Sequence, residues 1–150
     1  MRPQIKPILL AGGEHEFTHY GFAELARTEA LDLWQPDITW CGGLTAARRI
    51  VELAQERQIP VVYHRGGEVW GLHLIAAGIG EPLAELVLGH HQAPKDQLWL
   101  DEPQAQDGYL SLSDAVGFGV NYLANVPETV DLKGDFEPQP IPVPGKTKFA

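Results

Sequence analysis

Residues 45–64, TAARRIVELAQERQIPVVYH, contain a change of period that decides the fold. From Thr45 to Arg57, Ala46, Ile50, Leu53 and Ala54 form one apolar stripe, and Arg49, Glu52 and Glu56 lie outside it. That spacing predicts an amphipathic helix. Beyond Gln58 the period ends. Ile59–His64 is a short apolar run rich in β-branched residues, which predicts a strand.

The same unit recurs on both sides. Upstream, LDLWQPD (31–37) reads as a strand halted by Pro36. Tyr20–Glu29 places Phe22, Leu25 and Ala26 at helical spacing. Before it, Ile5–Ala11 is an apolar run ended by Gly12-Gly13 and is expected to be a buried strand. Downstream, Val69–Ala77 is expected to be helical and LAELVL (83–88) to be a further strand, with Glu85 inside it. Ile5 to Leu88 therefore reads β-α-β-α-β-α-β. Alternation of this kind predicts an α/β fold with parallel strands and helices packed on the sheet.

After Leu88 the alternation stops. Residues 89–126 read as a loop-rich segment with a short strand suggested at Tyr109–Leu112. From Pro127 the chain is proline-rich, with Pro138, Pro140, Pro142 and Pro144 following. The expected division is a folded part, 1–126, and an extended tail, 127–150, that needs a neighbouring surface to fix it.

Composition narrows the function classes. The chain has 150 residues, 44% of them hydrophobic and 21% charged, which suits one globular domain. Its net charge is −9 and no basic run occurs, so nucleic-acid binding is not expected. No stretch approaches the ~20 apolar residues of a membrane span. The apolar run near the N-terminus is shorter than the 7–15-residue core of a secretion signal. One cysteine, Cys41, allows no internal disulfide and fits a reducing cytoplasm. It reads as a packed small hydrophobe. The four tryptophans read as packing groups, and His90-His91 as solvent-exposed neighbours.

The ionisable groups carry the functional signal. AGGEHEF (11–17) ends the first expected strand in Glu14, His15 and Glu16. Asp37 ends the second strand and His64 the third, while Glu85 lies at the fourth. Glu14, Asp37, His64 and Glu85 follow one another at intervals of 23, 27 and 21 residues. In parallel α/β folds, sites form at the C-terminal ends of strands, so these four groups are expected on one rim. A Glu14 carboxylate suits a hard cation such as Mg²⁺. Asp37 and His64 suit a dyad, the carboxylate orienting an imidazole base. A protonated Glu85 suits hydrogen-bond donation to a developing enolate oxygen.

The stretches GGEHEFTHYGF, DLWQPDITWCGG and IPVVYHRGGEVWGLHLIAA resemble, in order, the C-terminal part of the enolase superfamily. Within it they resemble the mandelate racemase-like acid-sugar dehydratases, especially the L-rhamnonate dehydratase group. The resemblance runs from about Lys6 to Leu88, and DGYLSLSDAVGFGV continues it more weakly. It implies a partial (β/α)8 barrel comprising about the last four βα units. Glu14 then stands where a metal-binding carboxylate stands, and His15 reaches the substrate. Asp37 and His64 form the base dyad, and Glu85 is the electrophilic acid. The implied reaction removes the α-proton of a sugar acid, forms a Mg²⁺-stabilised enediolate and expels water, giving a 2-keto-3-deoxy acid.

Departures from the family pattern are Tyr63 in place of a proline, HRGG in place of a serine-containing run, and Val116 in place of a proline. The two other metal carboxylates and the lysines of an earlier strand have no counterpart here. The isolated chain is therefore expected to be inactive or incomplete. It reads as part of a dehydratase completed by an N-terminal chain, or as a catalytically silent half-barrel. Open strand edges further predict a homo-oligomer.

Overall fold

The computed structural model describes residues 5–87, 99 and 101–121. Its elements are β1 (Ala11–Gly12), α1 (Thr18–Thr28), β2 (Leu33–Trp34), α2 (Gly43–Glu56) and α3 (Val69–Ala76). β1 and β2 pair in parallel, with Ala11 opposite Leu33 and Gly12 opposite Trp34. The 59–64 segment joins β2 through isolated parallel bridges, Trp34–Val61 and Asp37–His64. The strands are shorter than the sequence suggests, but their order and direction are as expected.

Three expectations need correction. Ile5–Ala11 is not a buried strand: pairing begins at Ala11, and Ile8 and Leu9 are 69% and 63% exposed. Only one side of β1 has a partner among the described residues, so apolar residues before it have nothing to pack on. Pro36 does not halt the second strand. It lacks an N–H, yet its carbonyl accepts from the His64 N–H at 3.1 Å, and pairing runs on to Asp37. The third concerns residues 83–87, which form no strand. Two backbone bonds, Glu81 N–H to the Val61 carbonyl and Gly67 N–H to the Glu85 carbonyl, set them beside the third segment without a ladder. The suggested strand at Tyr109–Leu112 reduces to one antiparallel bridge, Gln106–Tyr109. His90-His91 and the expected tail lie outside the described residues.

The core lies between the sheet and α1 and α2. Phe22 and Ala26 of α1, Trp34 of β2 and Ala47, Ile50, Val51 and Ala54 of α2 are buried, as are Val61 and Tyr63. The buried stripe of α2 is rotated slightly from expectation: Ala47 and Val51 are inside, while Ala46 and Leu53 pack at its margin. Phe22 meets Trp34 ring to ring at 5.2 Å. Cys41 is fully buried, as its reading as a small hydrophobe requires. Gly13 turns the chain off β1 with φ +107°, and a Cβ there would lie 2.9 Å from the Phe22 ring. Only glycine combines that backbone with that approach. Gly71 does similar work in α3, where a Cβ would fall 2.7 Å from the Gly66 backbone. These tight contacts fix where each strand ends and its polar loop begins.

Candidate active site

The loops leaving β1, β2 and the 59–64 segment meet at one rim. Asp37 sits in a turn closed by its own side chain. Its Oδ1 accepts from the Thr39 N–H at 2.8 Å and the Thr39 hydroxyl at 2.6 Å. Its Oδ2 faces His64 Nδ1 at 2.9 Å. Burial alone pushes the Asp37 carboxyl up, but the Thr39 donors and the His64 ring outweigh it. The carboxyl is held below its ordinary value. An ionised Asp37 can only accept, so Nδ1 of His64 carries the proton on that side.

His64 directs its other nitrogen, Nε2, at two carboxylates. Glu14 Oε2 lies 3.2 Å away and Glu85 Oε2 4.0 Å away. Glu14 turns its second oxygen toward His15 Nε2 at 3.7 Å. Glu85 is held by the Arg65 backbone N–H, at 2.7 Å. The structure thus brings together all five residues singled out in the sequence: Glu14, His15, Asp37, His64 and Glu85. His15 is the most exposed of them, with 78% of its side chain in solvent.

Three contributors were missed. Thr39 supplies both donors to Asp37, and the Asp-x-Thr spacing is a readable turn signature. Arg65 presents its N–H to Glu85 from a left-handed backbone, φ +54°, uncommon for a non-glycine residue. Its guanidinium pairs with Glu68. No sequence signal marks that backbone. Trp40, taken as a packing group, is 47% exposed and donates its indole N–H to the His15 carbonyl at 3.2 Å.

Mg²⁺ prefers octahedral oxygen ligation. Glu14 offers a carboxylate, but both its oxygens face imidazole nitrogens. Among the described residues, no group of three or more His, Cys, Asp or Glu is placed to hold a metal. These residues therefore do not make a Mg²⁺ site by themselves. A largely apolar cavity of about 260 Å³, lined by residues such as Leu72, Ile75, Leu83 and Tyr109, lies below α3, apart from the rim groups. Among the described residues no helix is long and apolar enough to cross a membrane.

Parallel βα units with ionisable groups gathered at their strand ends define a TIM-barrel-like α/β domain. Residues 2–126 match the model of the enolase C-terminal domain-like family, and the chain belongs to that family. It is 38% identical over 118 residues to an L-rhamnonate dehydratase of Saccharopolyspora erythraea, covering 75% of this chain and 30% of that protein. The 3,6-anhydro-D-galactonate cycloisomerase of Zobellia galactanivorans superposes with a TM-score of 0.69 at 32% identity, covering 80% of this chain and 35% of that one. A mandelate racemase/muconate lactonizing enzyme from a marine actinobacterium, solved in complex with magnesium, gives 0.66 at 26% identity, covering 77% and 33%. The chain thus spans about a third of the length of these relatives.

Proposed function

We propose that this chain carries the proton-transfer part of an acid-sugar dehydratase site, acting on a sugar acid in the cytoplasm. One observation carries the reading: a histidine fixed by a buried aspartate through Nδ1, with Nε2 aimed at the space between two glutamates. Asp37 holds the ring and stabilises the positive charge that forms on it. Nε2, once free of its own proton and of Glu14, takes the proton from the carbon beside the substrate carboxylate. Glu85 keeps Oε2 on the Arg65 N–H. A proton on its other oxygen is donated to the enediolate oxygen as charge develops. The β-hydroxyl then leaves with a proton as water, and the enol becomes the 2-keto-3-deoxy acid. His15 lies within reach of a substrate hydroxyl.

Mg²⁺ bound beside such a site stabilises negative charge on the substrate carboxylate. Glu14 is the residue of this chain that would hold it. A single carboxylate leaves the ion mostly hydrated and weakly bound. We therefore also propose that the described barrel units are the last four of eight, and that full activity needs an N-terminal complementing chain.

The test uses the purified chain with Mg²⁺ and a panel of sugar acids including L-rhamnonate, assayed for 2-keto product. It is run alone and mixed with the N-terminal two thirds of a homologous dehydratase. The chain alone is expected below ~1 s⁻¹, the lower end of ordinary enzyme turnover. The mixture is expected to gain activity that His64→Asn removes. Turnover at or above that level by the chain alone defeats the incompleteness, and complemented activity indifferent to His64→Asn defeats the assigned base.

A further inference from the structure

Trp40 is not used in the mechanism above, yet it touches both halves of the rim. Its backbone belongs to the turn that holds Asp37: the N–H groups of Trp40 and Cys41 donate to the Asp37 carbonyl at 3.1 and 2.7 Å. Its side chain reaches across to the loop that carries Glu14 and His15. The indole N–H meets the His15 carbonyl at 3.2 Å. Its ring lies 5.4 Å from the His15 ring, tilted 48°, and 5.4 Å from the Phe17 ring, tilted 36°.

The loop is tied at its two ends by backbone bonds. Gln35 N–H donates to the Gly12 carbonyl at 2.8 Å, and Thr18 N–H to the Cys41 carbonyl at 2.9 Å. Between these anchors the printed bonds are the Glu16 N–H to Gly13 carbonyl turn, internal to the loop, and the Trp40 indole bond. Glu14 and His15 sit in that span.

We propose that Trp40 is a positioning residue: its indole clamps the middle of the 13–18 loop to the Asp37 turn and so sets Glu14 against His64. Hydrogen bond and ring contacts act together. The N–H fixes the His15 backbone, and the flanking rings limit how far the loop can roll. Glu14 and the Asp37–His64 pair sit on different strands, and the clamp makes their separation independent of loop motion. The inference takes from the proposed function only the identity of the groups being positioned, and its test needs no turnover.

The experiment is NMR on the full chain. In the wild type the Trp40 indole N–H is expected to exchange about fivefold or more slowly than a free indole, the protection one net hydrogen bond gives. In Trp40→Phe, which keeps a ring but no donor, the Glu16 amide is expected to exchange about fivefold faster, while the amides of Ile50 to Ala54 keep their protection. The coupling itself is read by a double-mutant comparison. Glu14→Gln should displace the His64 Hε1 resonance, and that displacement should fall by half or more in a Trp40→Ala background. An indole N–H exchanging at the free rate, an equal displacement in both backgrounds, or a matching loss of protection in α2 overturns the proposal. Turnover results bear on the function and leave this outcome untouched.

Discussion

Replacing Asp37 by Asn tests the buried pair at the centre of the site. Asn keeps a carbonyl for the two Thr39 donors, bound at 2.8 and 2.6 Å in the native turn. It puts an amide NH₂ where Oδ2 faces His64 Nδ1. Two donors then oppose each other unless the ring moves its proton to Nε2. The variant loses a hydrogen bond to a charged group, which contributes about 1.5–3 kcal/mol when buried. A loss of about 2 kcal/mol at neutral pH lowers the urea midpoint by about 1 M, for a slope of about 2 kcal/mol/M. The pH dependence has a definite sign. The native Asp37 carboxyl is held below its ordinary value of 3.8. Its contribution is therefore fully present above that value and is lost as the pH falls through the lower native one. Urea unfolding of both proteins at a series of pH values should show a gap that narrows steadily below about pH 4. A gap that stays constant or widens toward about pH 3 refutes an ionised, paired Asp37. In the complemented assay the variant also loses turnover, because Nε2 holds the proton it should be collecting.

Other consequences can be checked in the same preparations. Ile50 is fully buried in α2, so Ile50→Ala should cost about 2–5 kcal/mol by urea unfolding. Exposed Arg49→Ala should stay within about 0.5 kcal/mol. Burial pushes the Cys41 thiol up to about 11, so the native chain at pH 8 should resist Ellman's reagent, and full reaction should appear only in denaturant. Light scattering at micromolar protein should give an oligomer, most simply twice the 16.5 kDa chain, because Ile8 and Leu9 stand exposed beside β1. A monodisperse monomer removes that expectation.

Some of this was readable in the sequence because periodicity is a local property. The stripe of α2 and the β-branched run after it follow from side-chain direction alone. The rim could be anticipated because groups at the C-terminal ends of parallel strands must converge. Pairing partners are a different matter. Ile5–Ala11 and Leu83–Val87 have strand-like composition, but a strand needs a neighbour to bond with, and composition does not carry that information. Arg65 was invisible because its contribution is a backbone conformation and an N–H, which any residue has. Trp40 was misjudged for a similar reason. A tryptophan beside a cysteine and two glycines reads as packing, and only the fold brings the His15 carbonyl to its indole.

The 59–64 segment writes two messages on alternate residues. Val61 and Tyr63 are sealed within the core, while His64 emerges at the rim. Loss of a single residue between them reverses the parity, carrying the phenol to the rim and the imidazole under the helices. Point substitutions edit one message at a time, whereas one-residue insertions or deletions scramble both. Inherited length changes in this stretch of the family should therefore come in pairs or fall in the flanking loops, and an odd-length change inside it should mark a chain that has given up both its chemistry and its fold.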